Sequence, residues 1–205
     1  MTRLDDEQIE RYSRQLILAE VGPCGQERLG AARVAVVGEG MAAERVVAYL
    51  AAAGVGWIAA AERLHTAVDP AQPDLTVVPL ADAERVSLDV AVVIGATIDA
   101  VAATIAAWKE RAGAICWIAE GRAGGTPPCP LCVATVPAVT DVPSELTALR
   151  DALLGTVVAT EVMKAILAIG VPLVGRVLTY DPATATVASL AVAAARDCAC
   201  GPPAA

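Results

Sequence analysis

Two close pairs of cysteines are the residues of this sequence best suited to holding a metal ion. Cys129 and Cys132 form a C-x-x-C motif in a stretch rich in glycine and proline, and Cys198 and Cys200 form a C-x-C motif near the C-terminus. Four thiolates supplied by two short loops match the ligand set of a tetrahedral structural zinc ion. The spacing predicts a zinc clamp at all four cysteines. Two alternatives are a thioredoxin-like redox pair at Cys129 and Cys132, and free thiols in the terminal segment.

A glycine-rich motif is the second candidate for chemistry. The segment Gly38-Glu-Gly-Met-Ala-Ala43 fits the pattern G-x-G-x-x-[G/A], and it lies between an apolar run and a helical stretch. Glycines allow close backbone approach, a helix N-terminus attracts phosphate, and the carboxylate of Glu62 could accept ribose hydroxyls. Gly38, Gly40 and Glu62 therefore predict a nucleotide site. The alternative is a turn that binds nothing, which Glu39 favours because its carboxylate would repel phosphates.

The elements around these motifs alternate between apolar strands and helices. This order predicts an α/β fold: a Rossmann-like, mostly parallel sheet with helices on both faces. The predicted strands are Arg33–Gly38, Trp57–Ala61, Leu75–Leu80, Val90–Ile94 and Ala114–Ala119, and the predicted helices are Asp5–Ala19, Ala42–Ala53 and Ala100–Ala112.

The C-terminal part of the chain completes this fold. We expect a loop at Gly121–Pro130, a helix over Ser144–Ile169 with a break at Gly155, and a hairpin of Val174–Tyr180 with Thr186–Val192. With the zinc clamp, these elements predict one domain over residues 1–205. It divides into an N-terminal helical arm (1–30), a Rossmann-like half (31–120) and a segment with the zinc loop, helix and hairpin (121–205).

Composition excludes several classes of function. The chain has 205 residues, is 56% hydrophobic and carries a formal net charge of −8, so we expect neither disorder nor binding to nucleic acid. The run from Val90 to Trp108 has Asp99 at its centre, which argues against a membrane helix. The N-terminal segment is charged and lacks the apolar core of a signal peptide, which predicts a cytoplasmic protein.

Several segments of the chain carry a family resemblance. Towards the N-terminus they are Arg11-Tyr-Ser-Arg-Gln-Leu-Ile-Leu18, Glu20 to Leu29, Ala32 to Gly40 and Tyr49 to Gly56; later they are Pro128 to Cys132, Glu161 to Arg176, Tyr180-Asp181 and the terminal cysteine pair. In this order they resemble the ThiF/MoeB/HesA family, bacterial relatives of ubiquitin-activating enzymes, and the resemblance covers most of the chain.

The resemblance implies an adenylating fold. ATP would bind at the glycine loop, and an acyl-adenylate would form at the C-terminal Gly-Gly of a ubiquitin-like sulfur carrier or peptide. Such proteins are usually dimers, in which the arginine matching Arg14 reaches into the ATP site of the neighbouring subunit. The alternative for Arg14 is a solvated helix arginine paired with Glu10.

This sequence departs from the family at its phosphate and magnesium ligands. The family carries an Asn-Leu-x-Arg-Gln element and then a lysine, whereas this chain contains no asparagine and has only Arg63–Asp74 in that interval. The family's Asp-x-Thr-Asp-Asn turn is replaced by Val93-Ile-Gly-Ala-Thr-Ile98, and Asp99 is the nearest carboxylate. We therefore expect ATP and magnesium to bind weakly.

Three functional hypotheses follow. The first is a degenerate family member, a pseudoenzyme that binds a sulfur carrier or peptide tail and donates Arg14 to an intact partner, as a homodimer or heterodimer. The second is an active adenylyltransferase in which Arg63, Asp99 and Arg122 replace the missing groups. The third is a redox protein that uses Glu62 or the C-x-x-C cysteines. The sequence leaves the pathway open between thiamine, molybdopterin and peptide natural products.

Overall fold

A computed structural model describes residues 4–69, 72–134, 136–139, 142–193, 195 and 198. The strands are β1 (Arg33–Val37), β2 (Trp57–Ala60), β3 (Thr76–Pro79), β4 (Leu88–Gly95), β5 (Ala112–Ala119), β6 (Arg122–Gly125), β7 (Arg176–Asp181) and β8 (Thr186–Ala191). The helices are α1 (Asp6–Arg11), α2 (Ser13–Leu16), α3 (Gly22–Ala31), α4 (Met41–Ala53), α5 (Ile98–Trp108) and α6 (Ser144–Leu167), and short 3-10 helices cover Glu62–Ala67, Leu80–Arg85 and Pro130–Val133.

All eight strands belong to one sheet with the order β3-β2-β1-β4-β5-β6-β7-β8. The first five strands in this order are parallel, and β5 to β8 pair antiparallel. The predicted α/β class, the parallel strands and the C-terminal hairpin are therefore confirmed.

Helices cover both faces of the sheet because alternate strand residues point to opposite sides. On one face, side chains such as Val36 and Val92 pack with residues of α3, α4 and α6. On the other face, Val93 and Trp117 pack against α5, while Ala35 packs with the 3-10 helix Leu80–Arg85. Continuous apolar strands are what such a two-sided core requires. Within the described part of the chain, none of the helices is both long and apolar enough to span a bilayer.

The prediction of a loop at Gly121–Pro130 is wrong in its first half, where β6 pairs with β5 and β7. The glycines there make room for an aromatic ring. A Cβ atom on Gly124 would lie 2.6 Å from the indole of Trp117, so the strand needs glycine at this position. Glycine therefore marks a close approach here, whereas the sequence pattern suggests a turn.

The predicted break at Gly155 is also wrong, because α6 runs unbroken from Ser144 to Leu167. A Cβ atom on Gly155 would lie 2.4 Å from the carbonyl oxygen of Ala42 in α4. Gly155 thus lets α6 pack closely on the helix that begins at the glycine loop.

The N-terminal arm is broken where the sequence predicts one helix over Asp5–Ala19. The helix α1 ends at Tyr12, which is buried and donates a hydrogen bond from its hydroxyl to Asp74 (3.2 Å). The next helix, α3, begins at Gly22 with a proline in its first turn, which is a position that proline favours.

Candidate functional site

The glycine loop connects β1 to α4 at the carboxyl end of the sheet. Gly38 and Gly40 have φ angles of +132° and +84°, which other residues rarely adopt. A Cβ atom on Gly38 would lie 2.3 Å from the carbonyl oxygen of Ile94, so the loop rests directly on the end of β4. No side chain of the described residues caps α4, which leaves the N–H groups of its first turn available for hydrogen bonding.

A cavity of about 440 Å³ lies beside this loop. It is lined by the glycine loop, the ends of β4 and β5, the residues that follow them, and Arg150 and Asp151 of α6. The neighbours β1 and β4 are the strands between which chain order reverses. In doubly wound sheets, ligands bind in the crevice at this switch point. The structure therefore places Gly38 and Gly40 at a cavity where a ligand can bind.

The charged groups at the cavity are already paired. The described lining carries three carboxylates, and each has an arginine partner, so the three charges are balanced only when two arginines outside the lining are counted with Arg150. The pairs are Glu39 with Arg63, Glu120 with Arg122 (2.8 Å) and Asp151 with Arg150 (3.0 Å).

Glu120 brings a carboxylate to the turn between β4 and α5. It follows β5 with a φ of +48°, and its side chain accepts hydrogen bonds from the backbone N–H of Ile98 (3.1 Å) and from Arg122 (2.8 Å). The Ile98 N–H, and then Arg122, hold the pKa of Glu120 below its ordinary value, so the carboxylate stays ionised. Asp99, the substitute expected from the sequence, is exposed on α5 and lies outside the described lining.

Sequence reasoning missed Glu120, although a signal was present. It is the first residue after a parallel strand, and ligand-binding residues in such sheets follow the carboxyl ends of the strands.

Two further residues that the sequence suggests for the nucleotide site, Glu62 and Arg122, lie outside the described lining of the cavity. Glu62 is exposed at the start of the 3-10 helix that follows β2, outside the described lining of the cavity, so its contact with a ribose remains a prediction. Arg122 is only 4% exposed, and its guanidinium also donates two hydrogen bonds to the carbonyl of Val136 (3.0 and 2.6 Å). These bonds connect β6 to the segment after the first cysteine pair, so in this structure the Arg122 side chain stabilises the fold.

Both lysines of the chain are engaged elsewhere. Lys164 is paired with Glu161 (2.6 Å), and Lys109 lies 4.0 Å from the carboxylate of its neighbour Glu110. Neither lysine belongs to the described lining of the cavity. The one cation in the described lining is therefore Arg150, which already has Asp151 as its partner.

Three of the four predicted metal-binding cysteines come together. The Sγ atoms of Cys129, Cys132 and Cys198 all lie within 4.8 Å of one another, with 3.8 Å from Cys129 to Cys132 and 3.4 Å from Cys129 to Cys198. A zinc ion with Zn–S bonds of about 2.3 Å needs sulfurs about 3.8 Å apart. The cluster could therefore hold a metal ion. Cys200 lies outside the described residues.

The loop geometry around the cluster supports this arrangement. The backbone N–H of Cys132 donates to the carbonyl of Cys129 (3.0 Å), which closes the turn between the two thiols. The N–H of Ala195 donates to the Sγ atom of Cys132 (3.3 Å), which holds the segment after β8 against the cysteine loop. Cys116 lies in β5, where burial raises its pKa to about 12 and keeps the thiol protonated.

Arg14 lies on α2 and is exposed. It forms no ion pair with any described residue, so the alternative pairing with Glu10 is not formed. Ile17 and Leu18, which follow it closely, are 82% and 50% exposed. The carboxylate of Asp74 holds the preceding helix through Gln8, Arg11 and Tyr12.

Comparison with known sequences places short regions of the chain close to adenylyltransferases. No protein-family model matches the chain. It is 52% identical over 60 residues to "Sulfur carrier protein adenylyltransferase" of Thermus thermophilus, which covers 29% of this chain and 22% of that protein. It is 55% identical over 53 residues to "SAMP-activating enzyme E1" of Haloferax volcanii, covering 26% of this chain and 20% of that protein. The matches thus span about a fifth of these relatives.

Solved structures share the fold over almost the whole chain. A complex of E. coli MccB with MccA-N7isoASN superposes with a TM-score of 0.70 at 16% identity, covering 93% of this chain and 74% of MccB. PaaA superposes with a TM-score of 0.68 at 16% identity, covering 92% of this chain and 84% of PaaA. The sequence relatives are named as a sulfur carrier protein adenylyltransferase and an activating enzyme, and the solved structures show the shared fold. The chain is therefore similar to ThiF/MoeB-type proteins in short stretches of its sequence and shares its fold with MccB and PaaA.

Proposed function

We propose that this chain is a catalytically degenerate member of the ThiF/MoeB/HesA family that acts as a partner or scaffold in the cytoplasm. It would bind the C-terminal tail of a ubiquitin-like sulfur carrier or a peptide, and assist an intact adenylating subunit. One observation carries the proposal. Each carboxylate of the described cavity lining is paired with an arginine, and Arg150 is the one arginine in that lining, so the cavity offers a polyphosphate no unpaired cation.

The residues present fit ATP and magnesium poorly. A triphosphate concentrates negative charge, and family members meet it with a lysine, an arginine and a metal-binding aspartate. Here both lysines are paired with carboxylates outside the described lining of the cavity. An arginine that moved to bind a phosphate would leave its own carboxylate partner unpaired. Each lost electrostatic contact costs about 3 kcal/mol of transition-state stabilisation, so the loss of several makes adenylation very slow.

The neutral cavity suits the main chain of an extended peptide better. The glycine loop exposes backbone N–H groups, and the three ion pairs offer both donors and acceptors without repelling an uncharged ligand. The names of the relatives support this choice of ligand, since one is a sulfur carrier protein adenylyltransferase and one neighbour is MccB bound to MccA-N7isoASN.

The cysteine cluster would hold a structural zinc ion with Cys200 as its fourth ligand. Cys129, Cys132 and Cys198 supply thiols at separations that suit tetrahedral zinc. The ion would join the loop before α6 to the segment after β8, so its role is to fix the fold. A redox pair at Cys129 and Cys132 remains the alternative.

Arg14 would act in a neighbouring subunit. A guanidinium that is exposed and unpaired among the described residues is free to contact a phosphate brought by a partner. The exposed side chains of Ile17 and Leu18 would be covered by the same contact. A homodimer or a heterodimer with an intact family member would provide it.

An active adenylyltransferase is the second candidate, and Glu120 is the observation that favours it. Its ionised carboxylate reaches the turn after β4, close to where the family places its metal-binding aspartate. Arg63 and Arg150 would then have to leave their carboxylates for the phosphates.

ATP–pyrophosphate exchange separates the two candidates. The purified chain, with or without a carrier protein, is expected to show no exchange above background. Added to an intact adenylating relative, it is expected to raise that enzyme's turnover. Arg14→Ala should remove this increase, whereas Arg45→Ala, at an exposed arginine of α4, should keep it. Exchange catalysed by the chain alone would contradict the proposal and support the adenylyltransferase.

A further inference from the structure

Glu39 places a carboxylate in the middle of the glycine loop. It stands between Gly38 and Gly40, lines the cavity, and its side chain is 60% exposed. Loops of this kind bind phosphate through backbone N–H groups and the helix N-terminus. The charge of Glu39 therefore lies in the region that a phosphate would need.

The partner of Glu39 comes from the neighbouring strand. Arg63 belongs to the 3-10 helix that follows β2, and β2 is parallel and adjacent to β1. The ion pair thus joins two loops at the same edge of the sheet. Both side chains are at least half exposed, so water screens the pair and it contributes little to stability. Its consequence is electrostatic, because Glu39 neutralises a cation that lies beside the loop.

We propose that Glu39 determines the specificity of the cavity by excluding nucleoside polyphosphates. It leaves the groove to ligands without clustered negative charge, such as the main chain of an extended peptide. This inference rests on the proposed function, because it names the residue that keeps the cavity from holding ATP.

Glu39→Gln isolates the charge, since glutamine keeps the size of the side chain. The change raises the net charge of the cavity and its partners from zero to +1 and frees Arg63. Removing a like charge about 4 Å from an anion improves affinity about fivefold even with the screening of bulk water.

The test is calorimetric titration of ATP with magnesium into wild type, Glu39→Gln and Glu44→Gln. Glu44 is an exposed carboxylate in the first turn of α4 and lies outside the described lining of the cavity. Glu44→Gln changes the net charge of the protein by the same amount as Glu39→Gln and therefore serves as the control. Glu39→Gln is expected to bind ATP at least about fivefold more tightly than wild type, and Glu44→Gln to stay within about twofold. Affinity for adenosine should not change, and adding Arg63→Gln should remove the gain.

Equal ATP affinities of wild type and Glu39→Gln would overturn the inference, as would undetectable binding in all three proteins. An equal gain in Glu44→Gln would overturn it too, by assigning the effect to net charge. The ratio of affinities tests Glu39, whereas the affinity of wild type tests the proposed function. Micromolar binding by wild type would contradict the degenerate cavity whatever the ratio. Matching circular dichroism spectra and melting curves check that the exposed substitutions keep the fold.

Discussion

Gly155 sets how closely α6 approaches α4, and replacing it by alanine tests the packing that positions the glycine loop. An added methyl group would lie 2.4 Å from the carbonyl oxygen and 2.9 Å from the Cα atom of Ala42. These are backbone atoms and cannot rotate away. Because Ala42 lies in the first turn of α4, relief of the clash would push the N-terminus of α4 away from α6.

The expected cost follows from two opposing effects. Overpacking costs 1 to 3 kcal/mol, and a clash with backbone belongs at the upper end, about 3 kcal/mol. Alanine has the better helix propensity, which offsets about 1 kcal/mol. Gly155→Ala should therefore lower the free energy of unfolding by about 2 kcal/mol, which corresponds to a fall in Tm of about 4 to 8 °C for a chain of this size.

Urea and thermal unfolding followed by circular dichroism measure this cost. Gly30→Ala is the matched control, because Gly30 lies in α3 and a Cβ atom there would meet no described heavy atom within 4 Å. We expect the control to equal wild type or to gain up to about 1 kcal/mol. If Gly155→Ala were as stable as Gly30→Ala, the close approach of the two helices would not be what requires glycine.

Three further predictions concern the cysteines, Glu120 and the N-terminal arm. Metal analysis should find about one equivalent of zinc in the wild-type protein. Cys129→Ser should lose most of this zinc, whereas Cys24→Ser, at an exposed cysteine, should keep it. A full equivalent of zinc in Cys129→Ser would contradict the thiolate site. Folding lowers the pKa of Glu120 from its ordinary value of 4.5, so the charged side chain stabilises the fold fully at a pH above 4.5. This stabilisation is lost as the pH falls through the lowered pKa of the folded protein. The difference in urea stability between wild type and Glu120→Gln should shrink below pH 4.5, and a difference that is constant with pH would refute this. Asp74→Asn should weaken the anchoring of α1 by about 1 kcal/mol and speed tryptic cleavage of the arm, whereas Asp99→Asn should not; equal cleavage rates would contradict the anchor.

The parallel half of the fold is predictable because its signals are local. The run Val90–Ile94 is continuous and β-branched, as a strand buried on both faces requires, and it lies within β4. The helix predicted over Ala42–Ala53 ends at Gly54, whose φ of +88° is the left-handed conformation that glycine adopts at helix ends.

Gly124 and Gly155 show why other elements are not predictable in this way. Both glycines suggest an interruption when only their neighbours in sequence are considered. Their actual role is to admit a partner, the ring of Trp117 for one and the backbone of Ala42 for the other. Contacts made in three dimensions therefore override the local signal at these positions.

The candidate site likewise has one part that the sequence predicts and one part that depends on contacts in three dimensions. Spacing within each short motif is enough to predict the cysteine cluster, and the structure brings together the three cysteines it describes. The pairing of Glu39 with Arg63 depends on β1 and β2 being neighbours, and the reach of Glu120 depends on β5 lying beside β4. Strand order comes from the packing of the whole sheet, so these contacts cannot be predicted from the sequence motifs alone.

A crystal structure determined with ATP and magnesium tests the central claim most directly, because the claim concerns which groups the arginines at the cavity bind. We predict no ordered triphosphate beside Gly40, with Arg63 still paired to Glu39 and Arg150 still paired to Asp151. An ordered triphosphate at the glycine loop, contacted by Arg63 or Arg150 of the same subunit, would contradict the account.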